Sequence, residues 1–425
     1  MSDTRHPTLA VLAVPSARLY VAGRFFSLFG RSLAAAMLSY HVYALAGTTA
    51  ALGALGLIEF LPVIPAALLG GTAADRFDRR AVILVSTTGS LVGAAALAWA
   101  SRGVGPATVA AGAGLPLLYG AAFVLAAAAI FGFPGMTAIL PTLVPREIFQ
   151  NATVVASSLA QLAFISAPIT MGLLVEPLGF AAPYAIAAAC QLVAIGCFAR
   201  LRAPRATGER GSVSWAAVRE GLAFVRSRPA IFWSMTLDMI AVGFASATAL
   251  LPVFANDILH VGAEGYGLLR ASMAVGTFAM TVVLMVARPF ERPGRALLWG
   301  VFVYGAATAV FGLSRSFPLS VVAYIVAGMA DQVSMTTRSV ITQLATPDAL
   351  RGRVGAVNSI FISASNELGD AEAGFLASLT SPTFAVVFGA LGCLCVVALT
   401  AHRVRELRDY RATAALEEER DRSLA

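Results

Sequence analysis

Ten ionisable side chains interrupt long apolar stretches in this 425-residue sequence, which is 58% hydrophobic and only 12% charged. They are Arg24, Arg31, Glu59, Asp238, Arg270, Asp331, Arg338, Glu367, Asp370 and Glu372. Each charge costs about 2.5–3.5 kcal/mol at the centre of a bilayer on insertion scales. Such groups are therefore expected to face a cavity or one another, and a carboxylate among them could carry a proton.

The depth of each charged residue in the membrane, counted along its apolar stretch, indicates which of them could form ion pairs. Arg31 and Glu59 lie at similar depths in neighbouring stretches, which predicts an ion pair with either a transport role or a purely structural one. Asp238 and Asp331 are the candidate proton carriers. Arg338 is two turns from Asp331 on the same helical face and would favour its ionised form, which makes Asp238 the better carrier.

Three further carboxylates lie close together in one stretch: Glu367, Asp370 and Glu372. Carboxylates this close do not all ionise readily in a low dielectric. Some hold protons, or Arg270, Arg338 or a cationic substrate pairs with them, or the segment is near the surface and wet. We assign a functional role to Glu367 or Asp370.

The elements that carry these residues are long apolar runs, each able to span about 30 Å of hydrocarbon as a helix. Twelve such runs begin near Leu19, Ala50, Ala81, Gly112, Thr153, Phe180, Ile231, Tyr266, Ala296, Phe317, Val354 and Pro382. The mean hydropathy of +0.79 excludes a soluble protein. The sequence predicts an all-α integral membrane protein of twelve transmembrane helices.

The basic residues set the orientation. All 30 are arginine, and 24 of them fall on the side of the N-terminus against 2 on the other side. The positive-inside rule then places both termini in the cytoplasm, in a multi-pass protein of the cytoplasmic (inner) membrane. Because the arginines flank apolar runs, nucleic acid is not an expected partner. The sequence also predicts no metal site and no cofactor.

The chain also divides into similar halves. A shift of 202 residues places Pro145 on Pro347 and Gly172 on Gly374. Two six-helix halves of this kind, with a substrate site between them, are a transporter plan. The predicted organisation is a cytoplasmic tail at 1–18, six helices at 19–200, a central cytoplasmic loop at 201–230, six helices at 231–403, and a cytoplasmic tail at 404–425. Within the loop, residues 213–225 predict an amphipathic helix on the inner membrane surface, or else a flexible linker.

The segment Gly71–Arg80, GTAADRFDRR, resembles the signature loop of the major facilitator superfamily, G-x-L-a-D-R-x-G-R-R, with Ala73 and Asp78 replacing leucine and glycine. Three further stretches are similar to the subgroup of enterobactin-type siderophore exporters and macrolide efflux pumps: residues 219–226, 266–269 and 346–354. The resemblance implies a gating loop formed by Gly71, Asp75, Arg76, Arg79 and Arg80. In it Asp75 would latch the two halves; the alternative is a basic membrane anchor and nothing more.

The fifth run carries Ala167-Pro168-Ile169-Thr170-Met171-Gly172, which is similar to the antiporter motif G-P-x-x-x-G. Pro168 and Gly172 would bend the helix and let a neighbour approach closely. The resemblance also places the third, sixth, ninth and twelfth runs against lipid, and these runs hold none of the ten charges.

The sequence thus predicts a monomeric secondary transporter, not an enzyme. We expect proton-coupled efflux of a small organic or amphipathic molecule, of siderophore or drug type, by alternating access and with the proton gradient as energy source. The alternatives are an importer or lysophospholipid flippase of the same fold, and a non-transporting membrane sensor or partner-binding protein. Without lysine, no nucleotide-binding loop G-x-x-x-x-G-K-[ST] is present.

Overall fold

The computed structural model of the protein describes residues 11–102, 114–201, 215–288, 290–347 and 350–410. The side chains of residues 74, 75, 215–218 and 242 lie outside this description. Within the described ranges the regular structure is entirely helical.

Long helices fill the first part of the chain. They are α1 (Pro15–Ala46), α2 (Thr49–Phe60), α3 (Val63–Arg76), α4 (Arg79–Ala100), α5 (Leu115–Leu143), α6 (Phe149–Leu178) and α7 (Ala181–Ala199). A 3₁₀ turn, Arg146–Ile148, leads into α6.

The second part begins with a shorter helix and then repeats the pattern. Its helices are α8 (Trp215–Ser227), α9 (Pro229–Ala245), α10 (Gly262–Val286), α11 (Pro293–Leu313), α12 (Phe317–Ala345), α13 (Arg351–Leu379), α14 (Pro382–Arg403) and α15 (Arg405–Arg408). Between α9 and α10, residues 248–258 form short helical turns that end in the π-helical turn Phe254–Ile258.

Local sequence explains several helix ends. Proline occupies the first position of α9, α11 and α14, where a missing N–H is tolerated. Gly47 ends α1 with φ 64°, and its N–H donates to the Tyr43 carbonyl at 2.8 Å. The second apolar run is two helices instead of one, because Pro62 and Pro65 lack the N–H groups that would continue α2 into α3.

Eleven helical segments among the described residues are long and apolar enough to cross a membrane. The protein is therefore a multi-pass membrane protein. The remaining long helix, α13, has 29 residues, but its acidic residues make it less apolar than the others. A count of twelve spans stays a prediction.

The helices form two compact units. Unit 1 contains residues up to 47, 58–212 and 266–271; unit 2 contains 48–57, 213–265 and 272–425. The start of α2 thus packs in unit 2, and a short piece of α10 packs in unit 1. Each unit has its own apolar core, with Tyr20 and Phe198 buried in unit 1 and Leu297 and Cys393 buried in unit 2.

Candidate functional site

A buried ion pair joins α9 to α12 in unit 2. The Arg338 guanidinium donates to Asp238 Oδ2, and Ser334 Oγ lies 3.4 Å from Asp238 Oδ1. The two charged side chains are only 6% and 7% exposed. In a low dielectric each charge depends on the other, so this pair ties the two helices together.

Asp331 lies two turns before Arg338 on α12 and is partly buried. Both Asp238 and Arg338 act on it electrostatically. Among the described residues, however, no cation forms an ion pair with Asp331. The preference for Asp238 as proton carrier took Arg338 to act chiefly on Asp331; in the structure Arg338 forms its ion pair with Asp238, and Asp331 has no direct counter-ion within the described residues.

One acidic residue of α13 is hydrogen-bonded to the segment that follows α9. Asp370 accepts a hydrogen bond from Ser246 Oγ at 2.6 Å, just beyond the end of α9. Glu367 and Glu372 are partly buried on the same helix. Asp370 thus belongs to unit 2, together with the Asp238–Arg338 pair.

The expected Arg31–Glu59 ion pair is absent from the part of the chain that the structure describes. Both residues belong to unit 1 and both are partly buried, on α1 and at the end of α2. Similar depth in two helices does not fix which of their faces meet, so depth alone could not establish the pair.

Two tyrosine–arginine pairs in unit 1 were not foreseen as pairs. On α1, Arg24 donates to Tyr20 Oη at 3.0 Å, and Tyr20 Oη donates to the Met136 carbonyl of α5 at 2.9 Å. On α10, Arg270 donates to Tyr266 Oη at 2.9 Å, and that hydroxyl donates to a carbonyl of α1 at 3.0 Å. The tyrosine–x–x–x–arginine spacing, one helical turn, was the available signal.

Further polar groups of unit 1 pack in its interior. Gln191 Nε2 donates to the Ser27 carbonyl at 3.1 Å. His41 Nδ1 lies 3.4 Å from Tyr184 Oη, and its ring packs edge-on against Phe180. His41 is therefore a packed, hydrogen-bonded residue. Within the described residues, no group of His, Cys, Asp and Glu side chains could hold a metal ion.

The signature loop covers the end of α3, the two-residue turn at Phe77 and Asp78, and the start of α4. The Asp78 carboxylate accepts the backbone N–H of Arg80 at 3.0 Å and caps α4, which explains why aspartate suits this position. Arg79 donates to the Ala138 carbonyl at 2.8 Å, and Arg80 donates to the carbonyl of Ala199.

The Ala199 carbonyl is at the end of α7, where the helix dipole favours a cation, and Ala138 lies five residues before the end of α5. Gly71 is buried and Arg76 is exposed, both on α3. The side chain of Asp75, and with it the predicted latch, lies outside the described residues.

Close approaches at glycine define two helix contacts. In unit 1 a Cβ on Gly267 of α10 would collide with the Pro168 carbonyl and would lie 3.2 Å from Gly172 Cα. The fifth-run motif therefore makes room for α10 against α6.

The start of α2 makes the equivalent contact in unit 2. A Cβ on Gly53 would lie 2.9 Å from the Phe375 amide nitrogen, and one on Gly56 would lie 2.8 Å from the Ala371 nitrogen. A Cβ on Gly374 of α13 would in turn collide with the Gly53 backbone. Small residues one turn apart on α2 were the unused sequence signal for this contact.

A surface ion pair links two of the stretches that carry the subgroup resemblance. Arg353 of α13 donates to Glu220 of α8, with side chains 41% and 54% exposed. Next to it, a Cβ on Gly221 would lie 2.8 Å from the Arg353 carbonyl oxygen, and Val225 is fully buried. The helix α8 is thus seated on the start of α13.

Residues 20–369 match the Major Facilitator Superfamily. The chain belongs to this family. It is consequently a transporter and not an enzyme.

Among curated members of the superfamily, the enterobactin exporter EntS of Escherichia coli (strain K12) is 25% identical over 351 residues, 81% of each chain. The EntS protein of Citrobacter koseri is 24% identical over 402 residues, covering 93% of this chain and 94% of the relative.

Solved structures of transporters share the superfamily fold. A POT family transporter in complex with 5-aminolevulinic acid aligns with a TM-score of 0.72 at 13% identity, over 92% of this chain and 96% of that one. The nucleoside transporter NupG aligns with a TM-score of 0.72 at 14% identity, over 92% and 100%. At these identities the likeness shows the fold of this superfamily member and nothing about its substrate.

Proposed function

We propose that the protein exports a small organic or amphipathic molecule from the cell and is driven by inward movement of protons. The observation that carries the proposal is Asp331, a partly buried carboxylate beside the Asp238–Arg338 ion pair. A carboxylate in that position can hold a proton on one side of the membrane and release it on the other. The fixed pair next to it supplies a charge environment that changes as the surrounding helices move.

The topology proposed for this function has twelve spans, with both termini in the cytoplasm of a monomer in the inner membrane. It includes α13 as a span, whose Glu367, Asp370 and Glu372 then face the protein interior and not lipid. The strong bias of arginines to one side supports this orientation.

The direction of transport is proposed from the relatives. The EntS proteins carry the name of enterobactin exporters. Ring-bearing or amphipathic cargo also suits the aromatic residues of α1, where Phe25 and Phe29 stack with ring centroids 6.0 Å apart. We therefore place siderophores and lipophilic drugs first among substrate classes.

Alternating access would work through the glycine contacts. In the proposed topology, the contacts of α2 with α13 and of α6 with α10 lie towards the outer ends of these helices. Their small residues let the backbones pack without interlocking side chains, so the contacts can separate and re-form during a cycle. The loop that carries Asp75 lies at the inner end of α3.

The test is a comparison of cells and medium by mass spectrometry. A deletion strain is complemented with wild type, with Asp75→Asn, or with empty vector, and grown in iron-poor medium with and without a panel of lipophilic drugs. We expect one compound to accumulate in the deletion strain and to be cleared by wild type but not by Asp75→Asn, at equal membrane abundance.

A compound that wild type accumulates in the cell would contradict export and show import. Equal distributions in all strains, with the protein present in the membrane, would favour lipid movement or a non-transport role.

A further inference from the structure

A groove opens on the surface of unit 2 between α11 and α14, at the end where arginines cluster. It encloses about 400 Å³, within the ~300–1,000 Å³ typical of small-molecule sites. Its walls come from both helices and from the short helix α15. The lining residues are Arg295, Leu298, Trp299, Phe302, Val397, Ala398, Ala401 and Arg408.

The groove is basic at the start of α11 and apolar further along that helix. From Arg295 to Phe302 it follows α11 for two turns, about 10 Å at 1.5 Å per residue. Trp299, which is 66% exposed, stands one turn below Arg295 and packs edge-on against Phe302 with centroids 5.6 Å apart. A tryptophan between a basic rim and an apolar wall is typical of the membrane interface.

Two arginines form the rim, and one carboxylate lies between them. Asp409 is 3.4 Å from Arg295 Nη2 and 3.3 Å from Arg408 Nη2. Hydrogen bonds, first from Arg408 and then from Arg295, hold the pKa of Asp409 below its usual range. Two cations against one anion leave the rim with a net positive charge.

Backbone packing fixes this rim in place. A Cβ on Gly294, at the start of α11, would collide with the Leu407 carbonyl of α15, so only glycine allows the contact. Leu407 itself is fully buried. The Arg408 side chain is anchored further by a hydrogen bond to the Ala401 carbonyl at 3.4 Å. The positions of Arg295 and Arg408 are therefore fixed by packing between α11, α14 and α15.

The surroundings of the groove face hydrocarbon. Next to the lining residues, large apolar side chains are exposed on both helices, with Val303 of α11 at 37% and Leu399 of α14 at 51%. In a multi-pass membrane protein such a surface is covered by lipid chains. A ligand of the groove therefore needs an apolar chain of its own and an anionic head at the rim.

We propose that this groove binds one anionic phospholipid of the arginine-rich leaflet. Its phosphate lies between Arg295 and Arg408, and an acyl chain lies along Trp299 and Phe302. The lipid ties the start of α11 to the short helix α15. Basic pockets between transmembrane helices are suited to anionic headgroups.

The test is native mass spectrometry of the purified full-length protein with dioleoyl phosphatidylglycerol and dioleoyl phosphatidylcholine, two lipids with the same chains. We expect wild type to prefer the anionic lipid, and each groove arginine replaced by glutamine to lower that affinity about fivefold. Asp409→Asn removes the competing carboxylate and is expected to strengthen binding of phosphatidylglycerol. Arg292→Gln, three residues before Arg295 and outside the groove, is the matched control.

A second variant distinguishes the contribution of the acyl chain to binding from that of the headgroup. Ala398→Phe fills the groove and should weaken both lipids alike, with the arginines intact. Equal affinity of wild type for the two lipids, or an equal loss in Arg292→Gln, would overturn the proposal. A protein dimer that is lost in Arg295→Gln and Arg408→Gln would also overturn it and assign the groove to a second copy.

Discussion

At the scale of single residues, Asp238 and Asp331 of unit 2 differ in their partners. Asp238 is neutralised by Arg338, whereas Asp331 has no direct counter-ion among the described residues. We expect Asp331→Asn to abolish substrate-driven proton movement while the protein stays folded, because the amide keeps the shape and cannot exchange a proton. The measurement is the fluorescence of a pH-sensitive dye in inside-out vesicles energised with a proton gradient.

Asp238→Asn is the comparison variant for that experiment. It leaves Arg338 buried without a partner, so its main effect is expected on thermal stability. Proton movement that persists in Asp331→Asn at normal rate would exclude Asp331 as the carrier.

The ion pair itself gives a second prediction. Arg338→Ala leaves Asp238 uncompensated and should lower stability by about 3–5 kcal/mol, as is typical when one partner of a buried pair is removed. The double variant Asp238→Leu with Arg338→Met should recover most of that loss, because two apolar groups replace two charges. Detergent-solubilised melting temperatures report both effects; a double variant no more stable than Arg338→Ala would disprove the pairing.

Residue chemistry was predictable only in part. Asp238, Asp331 and Arg338 were identified from the sequence alone, because charged residues inside apolar runs are costly to place in a bilayer. The choice of partner was not predictable, because Arg338 reaches Asp238 on another helix and turns away from Asp331 on its own. A long arginine side chain can point either way along a helix, and tertiary packing decides which.

At the scale of elements, the close contact of α2 with α13 gives a third prediction. Gly53→Leu places a branched side chain where a Cβ already lies 2.9 Å from the Phe375 nitrogen. Overpacking of this kind costs about 1–3 kcal/mol, enough to shift a two-state equilibrium about tenfold. We expect the variant to favour the arrangement in which α2 and α13 are apart.

Distance measurements between spin labels at the ends of these two helices would detect the shift. Gly120→Leu is the control, since a Cβ on Gly120 of α5 meets nothing within 4 Å. Unchanged α2–α13 distances in Gly53→Leu would mean that the contact yields locally and does not separate.

Helix starts expected near Ile231, Ala296 and Pro382 lie at Pro229, Pro293 and Pro382 in the structure, a difference of three residues at most. Pro229, Pro293 and Pro382 start helices as expected for the first helical position. The break at Pro62 and the π-helical turn at 254–258 were missed, because hydropathy alone does not distinguish one long helix from two short ones.

At the scale of the whole molecule, composition alone indicated the class of protein. A chain this apolar, with arginines collected at the ends of its runs, has few folds available to it, and the family match confirms the resemblance to the superfamily. The division into units is subtler than two sequence halves, because residues 48–57 and 266–271 pack with the opposite half. Such exchanges depend on three-dimensional contacts between glycines and leave only a weak trace in sequence.

The number of spans is the last prediction at this scale, and α13 decides it. If α13 crosses the membrane, its two ends lie on opposite sides, with residues near Thr346 in the cytoplasm and Thr380 outside. Reporter fusions after Thr346, Thr380 and Tyr410 should then read inside, outside and inside. A fusion after Thr48, which should report the outside, controls for the orientation of α1.

Readings on the same side for Thr346 and Thr380 would reduce the number of spans to eleven and move the C-terminus outside. The three carboxylates of α13 would then lie in water, and Asp331 would remain as the candidate proton carrier.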